Sequence, residues 1–242
     1  MLDFGYYNMD CMEGMRQFPD KYFDLAIVDP PYGINIGAQS MGVGGVSQST
    51  ETVRVGGGCL TGKGKAVPNL YHIFDDSKPP TEEYFKELER VSKHRIIWGG
   101  NYFLDYLGAT QCMIFWDKGR RGMNFADGEI AWTDFKEPCR ILEYKWNGML
   151  QEDMTNKEYR IHPTQKPVNL YKWLLRNYAK EGDKILDTHV GSASSLIACH
   201  QMGFDFVGFE LDEVYYKESK ERLETAQSQI TIDDLLRDVR FP

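Results

Sequence analysis

Residues 29–33 (DPPYG) are the segment of this 242-residue sequence with the clearest chemical potential. They follow an apolar run, 25–28, that is typical of a buried strand, and ligands of open parallel sheets lie at the carboxyl ends of strands. Two consecutive prolines stiffen the turn and remove two backbone donors, while the Pro30 carbonyl and the Asp29 carboxylate remain as acceptors. Tyr32 adds a ring for stacking. Such a loop suits an aromatic amine, because it can hold both N–H groups and stabilise positive charge that develops on the nitrogen.

A second group of residues has the spacing of a nucleotide site. Residues 187–194 (DTHVGSAS) follow the short apolar run KIL and precede a helical pattern, so their backbone N–H groups can approach a ligand closely. Glu210 ends another apolar run about 20 residues later, where an acid can accept hydrogen bonds from two ribose hydroxyls. Asp10 ends a weaker strand before a helix. Taken alone, Glu210 fits a solvated surface acid and Asp10 fits a helix N-cap.

Together these segments resemble the DNA amino-methyltransferases, whose catalytic motif is [DNS]PP[YFW] and whose cofactor loop reads DPFxGSGT. The loop at 187–194 departs from that pattern at Thr188, His189 and Ala193. Residues 162–167 (HPTQKP) resemble the family motif that closes over the methionine end of S-adenosylmethionine. The resemblance implies catalytic roles for Asp29, Pro30 and Tyr32, and contacts with S-adenosylmethionine for Asp10, Thr164, Lys166, Asp187, Gly191, Ser192 and Glu210. No metal site is expected.

The order of the motifs adds to the resemblance, because the catalytic loop precedes the cofactor loop as in the circularly permuted β class of these enzymes. Four apolar segments predict buried strands at residues 24–29, 95–98, 112–116 and 184–187. Weaker candidates at 4–9, 129–133 and 206–210 raise the total to seven, and helices are predicted at 80–91, 168–178, 194–202 and 212–226. The implied architecture is one α/β catalytic domain over residues 1–242, with a Rossmann-like methyltransferase fold and a seven-stranded, mostly parallel sheet.

Two stretches interrupt the alternation of strands and helices. Residues 33–69 are rich in glycine and polar residues, which predicts a long mobile loop able to close over a ligand. Residues 134–160 are irregular, aromatic and basic, and we expect them to be a small target-recognition insertion. This region is part of the only basic third of the sequence: the net charge is −8, yet residues 118–180 carry +4 between segments of −5 and −7. The candidates for DNA contacts are Lys118, Arg120, Arg121, Lys136, Arg140 and Lys145.

Double-stranded DNA is the expected partner, with the target base flipped into the site because a paired amino group is unreachable inside the duplex. The sequence has no apolar run long enough to span a membrane and no secretory signal pattern, so a cytoplasmic location is expected. Its five cysteines lack metal-ligand or disulfide spacing, and we expect them to be reduced. A homodimer and a restriction endonuclease partner are both compatible with the sequence.

Asp29 at the first motif position favours adenine-N6 over cytosine-N4, whose enzymes favour serine there. The nearest rivals are therefore cytosine-N4 methylation, or an RNA or protein-glutamine methyltransferase that uses the same loop. An oxidoreductase binding a dinucleotide would share the glycine turn and the acid, but the sequence lacks a clear GxGxxG and such an enzyme has no use for DPPYG. A non-catalytic DNA-binding remnant is the alternative from a different class.

Overall fold

The apolar segments form one central sheet of eight strands in a computed structural model, which describes residues 1–34, 52–55, 58–61, 71–72, 76–119, 121, 126–147 and 150–229. In chain order the strands are β1 (Gly5–Asn8), β2 (Phe23–Val28), β3 (Thr52–Val55), β4 (Gly58–Thr61), β5 (Ser92–Trp98), β6 (Met113–Asp117), β7 (Gly128–Thr133), β8 (Arg140–Glu143), β9 (Trp146–Asn147), β10 (Leu150–Gln151), β11 (Lys184–Asp187) and β12 (Asp205–Glu210). The central sheet has the order β1-β12-β11-β2-β5-β7-β6-β8. Only β7 runs antiparallel to the other strands of this sheet.

Helices cover both faces of this sheet. They are α1 (Cys11–Met15), α2 (Glu82–Val91), α3 (Leu104–Leu107), α4 (Val168–Tyr178), α5 (Ser194–Met202) and α6 (Glu213–Ser228). Because side chains alternate along a strand, β2 contributes Leu25 and Ile27 to the core beneath α4, α5 and α6, and Ala26 and Val28 to the core beneath α1 and α2. A parallel sheet buried on both faces is what the continuous apolar strands require.

All seven strands expected from the sequence are present, and all four expected helices form within a few residues of the expected limits. The eighth strand, β8, was not expected. It lies inside the segment 134–160 and pairs in parallel with β6 at the edge of the sheet, so part of the expected insertion belongs to the central sheet. Its sequence, RILE, does not indicate a strand, because apolar and polar residues do not alternate in it. In the structure the Ile141 side chain is 68% exposed.

The segment 33–69 also contains regular structure where a loop was expected. Strands β3 and β4 pair antiparallel as a two-stranded sheet. The remainder of that segment, apart from residues 33 and 34, lies outside the described residues, and its expected mobility stays a prediction. Among the helices that the structure describes, none is long and apolar enough to cross a membrane.

Candidate active site

The predicted catalytic and cofactor residues meet at one edge of the sheet. Asp29 follows β2, Asp187 ends β11 and Glu210 ends β12, and these parallel strands are neighbours in the order β12-β11-β2. The chain leaves β11 toward β12, whereas it leaves β2 toward β5 on the other side. A crevice opens where the strand order reverses in this way, and ligands of doubly wound sheets bind there.

The Tyr32 side chain is held against the Asp29 carboxylate. Its hydroxyl donates a hydrogen bond of 2.6 Å to Asp29 Oδ1, and its ring stacks on Tyr102 with centroids 4.9 Å apart and planes 17° from parallel. Gly99, with φ of 66°, packs directly on this ring, because a Cβ there would lie 2.2 Å from it. Burial and then the Asp29 charge raise the pKa of Tyr32 well above its usual value, so the hydroxyl stays a donor.

Lys166 contacts the other oxygen of the same carboxylate, and its ammonium also lies 3.4 Å from the Tyr32 hydroxyl. Its Nζ is 2.5 Å from Asp29 Oδ2 and 3.0 Å from Glu129 Oε2, and its side chain is 3% exposed. The sequence predicted that Lys166 pairs with the cofactor carboxylate. The structure places its ammonium against Asp29 of the predicted catalytic loop, and a contact with the cofactor stays a prediction.

Glu129 is a site residue that the sequence did not single out. It stands near the start of β7, and its Oε1 also contacts the ammonium of Lys118. Burial on its own would raise the pKa of this carboxyl, but the two ammonium groups more than offset that effect and lower it to about 2. Burial likewise opposes the charged form of Lys166, yet Asp29 and Glu129 hold the pKa of Lys166 above its usual range. Glu129 and Lys166 are therefore both charged at neutral pH.

The glycine turn after β11 is tied to its neighbours by two carboxylates. Glu210 Oε2 accepts a hydrogen bond of 2.8 Å from the Gly191 N–H, and Oε1 accepts one of 2.9 Å from the Asp212 N–H. Asp187 accepts from the Ser195 hydroxyl at 2.5 Å and from the His189 N–H at 3.0 Å. Burial raises the pKa of Asp187 to about 7, although these hydrogen bonds oppose the shift.

Two departures from the family's cofactor loop are explained by one contact. Thr188 Oγ1 lies 2.6 Å from the Tyr84 hydroxyl of α2 and 2.9 Å from His189 Nδ1. A series of hydrogen bonds therefore joins this loop to α2. The proline and phenylalanine of the family's loop would make apolar contacts at these two positions. The third departure, Ala193, adopts φ of 61°, a left-handed conformation that glycine accepts at lower cost.

The donors and acceptors around this turn fit S-adenosylmethionine. Gly191 has φ of 55°, and a Cβ there would have only His162 Cδ2 near it, at 4.0 Å. Each carboxylate oxygen of Glu210 retains a second lone pair after its backbone bond, which suits two ribose hydroxyls. Ser192 Oγ lies 3.1 Å from Ser194 Oγ at the start of α5. Asp10 caps α1 by accepting hydrogen bonds from the N–H groups of Met12 and Glu13. This is the helix N-cap role that its sequence position also fits.

The HPTQKP segment packs its histidine inward. His162 is 8% exposed, its ring lies 4.3 Å from the Tyr215 ring, and its Nδ1 faces the Thr164 N–H at 3.3 Å and the Thr164 hydroxyl at 3.0 Å. An Nδ1 that receives a backbone N–H carries no proton itself, so the ring is neutral. Burial, followed by the charges of Lys166 and Arg160, lowers the pKa of His162 to about 3.

Replacing His162 with asparagine is expected to reduce the acid sensitivity of the fold. A histidine whose folded-state pKa is lowered contributes stability that is fully present above its unfolded value, near 6.5, and is lost as the pH falls toward 3. Wild type should therefore lose about 2 kcal/mol between pH 7 and pH 5 that the variant retains. Urea unfolding at both pH values measures this difference. The exposed His200→Asn variant is the control, and equal losses in wild type and His162→Asn would contradict the prediction.

The six expected DNA contacts occupy different environments. Lys136, Arg140, Lys145 and Arg121 are exposed, although Arg121 Nη2 lies 2.5 Å from Asp117 Oδ2. Lys118 does not share this exposure, because its side chain is 13% exposed and its ammonium contacts Glu129 and lies 4.6 Å from the Trp116 ring centroid. This corrects its expected place on the basic surface. Arg120 lies outside the described residues.

A doubly wound sheet with the DPPYG loop after one central strand and a glycine turn after its neighbour has the fold of the S-adenosylmethionine-dependent DNA methyltransferases. Solved structures share this fold. The M1.HpyAVI–SAM complex matches 90% of this chain and 98% of its own, with 17% identity and a TM-score of 0.50. The cytosine-N4-specific PvuII DNA methyltransferase matches 98% of this chain and 91% of its own, with 12% identity and a TM-score of 0.55.

The sequence itself is similar to those of DNA methyltransferases. The profile of the N6/N4 DNA methylase family matches residues 115–221. The type II methyltransferase M2.DpnII of Streptococcus pneumoniae is 24% identical over 239 residues, covering 89% of this chain and 87% of that protein. The family profile and these relatives support a DNA amino-methyltransferase of the N6/N4 type.

Proposed function

We propose that this protein is a site-specific DNA methyltransferase that transfers a methyl group from S-adenosylmethionine to N6 of an adenine flipped out of the duplex. The observation that carries this proposal is the environment of Asp29. It stands at the crevice between β2 and β11, beside the Pro30 carbonyl and the Tyr32 ring, and within one strand of the turn that would hold the cofactor.

The bound cofactor supplies an electrophilic methyl group on a sulfonium. Asp29 and the Pro30 carbonyl would accept the two N–H groups of the substrate amine and orient its nitrogen for direct attack. Each Asp29 oxygen has one protein partner, Tyr32 or Lys166, and a second lone pair remains on each to accept an N–H. The negative carboxylate stabilises the positive charge that grows on the nitrogen during transfer. Tyr32 and the half-exposed Tyr102 offer an aromatic surface for the flipped base.

A covalent enzyme intermediate is unnecessary in this mechanism, and the state of Cys11 and Cys199 is consistent with its absence. Burial, with a contribution from Asp10, raises the pKa of Cys11 to about 12. Burial also raises the pKa of Cys199. At neutral pH both side chains are thiols rather than the thiolates that act as nucleophiles.

Cytosine-N4 is the second candidate substrate. The likeness to the cytosine-N4-specific PvuII enzyme favours it at the level of the fold. Asp29 at the first position of the PPY motif favours adenine, and the same two acceptors would serve either amine. We assign adenine on the basis of Asp29.

Target recognition is proposed to lie in the region 118–160, with the exposed Lys136, Arg140 and Lys145 contacting phosphate or guanine. The strand β8 places Arg140 at the edge of the central sheet. A homodimer, a restriction endonuclease partner and a cytoplasmic location remain part of the proposal and rest on the sequence alone.

Sequencing with detection of base modification tests this function directly. The protein is expressed in a methylation-free host, and the host DNA is expected to carry N6-methyladenine in one sequence motif. N4-methylcytosine would instead establish the second candidate. Unmodified DNA, together with methyl transfer to RNA or protein by the purified enzyme, would overturn the proposal. Exchange of residues 134–160 for those of a related enzyme is expected to change the motif.

A further inference from the structure

We propose that Glu129 is a positioning residue for methyl transfer, which acts through Lys166 to orient Asp29 and to keep its negative charge available to the substrate amine. The inference rests on the proposed function. It concerns a residue outside every motif of the sequence, on a strand that contributes neither the catalytic loop nor the cofactor loop.

Four charges alternate in an inner charge cluster made of Asp29, Lys166, Glu129 and Lys118. Lys166 Nζ stands between two carboxylates, 2.5 Å from Asp29 Oδ2 and 3.0 Å from Glu129 Oε2. Glu129 in turn stands between two ammonium groups. The exposed fractions of the four side chains are 18% for Asp29, 3% for Lys166, 25% for Glu129 and 13% for Lys118. The Lys166 ammonium is thus the charge most fully removed from water, and it depends on its two carboxylate neighbours.

The backbone gives Glu129 a fixed position from which to act. It lies on β7, where its Cα is paired with that of Trp116 on β6. Lys166, by contrast, belongs to a segment without regular structure just before α4, and its side chain has a flexible four-carbon stem. The Tyr32 and Trp98 rings lie 5.9 and 5.4 Å from its ammonium and restrict it further. Glu129 thus anchors the free end of the side chain that contacts Asp29.

The charge of Glu129 matters as much as its position. Positive charge grows on the substrate nitrogen during transfer, and Asp29 stabilises it. The ammonium of Lys166 at Asp29 Oδ2 opposes that effect, because it already compensates the carboxylate. A second carboxylate on Lys166 offsets part of the ammonium charge and returns negative potential to Asp29. Buried ion pairs contribute little to stability relative to apolar packing, so stability alone gives a weak reason for this arrangement.

The test is the effect of Glu129→Gln on methyl transfer from radiolabelled S-adenosylmethionine to unmethylated plasmid DNA. The variant is expected to lower kcat about 10- to 100-fold, while the KM for DNA and the Kd for S-adenosylmethionine stay within about threefold of wild type. The exposed Glu224→Gln variant on α6, outside the site and outside the region 118–160, is the matched control and should retain full activity. A wild-type kcat in a folded Glu129→Gln variant would overturn the inference.

A double-variant cycle separates positioning from a general structural effect. If Glu129 acts through Lys166, adding Glu129→Gln to a Lys166→Met enzyme should lower kcat by less than threefold further, and independent effects that multiply would overturn the inference. Glu129→Asp is the second single variant in case the glutamine variant does not fold. Its shorter side chain cannot span both ammonium groups, so we expect an intermediate kcat, and an unchanged kcat would count against the inference. Failure of the proposed function is distinguishable, because wild type itself would then transfer no methyl to DNA.

Discussion

Replacement of Asp29 by alanine is expected to lower turnover by about 10³-fold or more, with the affinity for S-adenosylmethionine within about tenfold of wild type. In the proposed mechanism the carboxylate is one of two acceptors for the substrate amine and carries the negative charge that faces the reacting nitrogen. These interactions strengthen as the nitrogen becomes positive, so their loss falls on the transition state more than on bound cofactor. Radiolabelled methyl transfer at saturating cofactor gives the first quantity, and calorimetry gives the second.

Two further variants sharpen this prediction. Asp29→Asn keeps the shape and one acceptor but loses the charge, and its turnover should lie between those of wild type and the alanine variant. Asp105→Ala removes an exposed carboxylate from α3 and should leave turnover unchanged. Turnover of Asp29→Ala within tenfold of wild type would remove the basis for placing the amine at this carboxylate.

Replacement of Glu210 by glutamine is expected to weaken S-adenosylmethionine binding about 30- to 100-fold, with kcat at saturating cofactor changed only a few-fold. The two carboxylate oxygens accept from two backbone N–H groups, of Gly191 and Asp212. Glutamine has one oxygen, so one N–H loses its partner and faces an amide NH₂ group. A lost charge-assisted hydrogen bond costs roughly 1.5–3 kcal/mol, which corresponds to this range of affinity.

Calorimetric titration with S-adenosylmethionine measures the loss. Asp205→Asn changes an exposed acid at the other end of β12 and is the matched control, for which we expect wild-type affinity. An unchanged Kd in Glu210→Gln would mean that the cofactor lies elsewhere along the sheet edge. The contrast with Asp29→Ala is itself informative, since one variant should affect binding and the other catalysis.

The sequence predicted most of the sheet because its central strands are buried on both faces. Continuous apolar runs such as 25–28 and 112–116 leave few alternatives to a strand. The edge strand β8 carries no such pattern, because a four-residue strand with an exposed Ile141 resembles a loop. The glycine-rich appearance of residues 33–69 likewise concealed the pair β3 and β4.

The site was predictable where chemistry is encoded locally. Residues 29–33 and 187–194 can be recognised in the sequence by their prolines and glycines and by their position after predicted strands. Glu129 cannot be recognised in this way, because an acid near the start of a strand usually marks the solvent-facing side. Its role depends on Lys166 arriving from 37 positions further along the chain. The HPTQKP motif suggests that Lys166 contacts S-adenosylmethionine. It gives no information on the contacts of Lys166 with Asp29 and Glu129, because these depend on tertiary packing.

The permuted order of the strands has a consequence for synthesis of the chain. The centre of the sheet joins β2, made early, to β11, made about 160 residues later, and β1 has no neighbour in the sheet except β12. Tyr6 on β1 meets Ser219 of α6 across 213 positions, with a hydrogen bond of 2.6 Å. A nascent chain can pair β2 with β5 and add β6, β7 and β8 on that side, whereas β1 must wait until residues 205–210 have left the ribosome. Contacts so distant in sequence make folding slow, and Asp29 stands at an open sheet edge for most of translation.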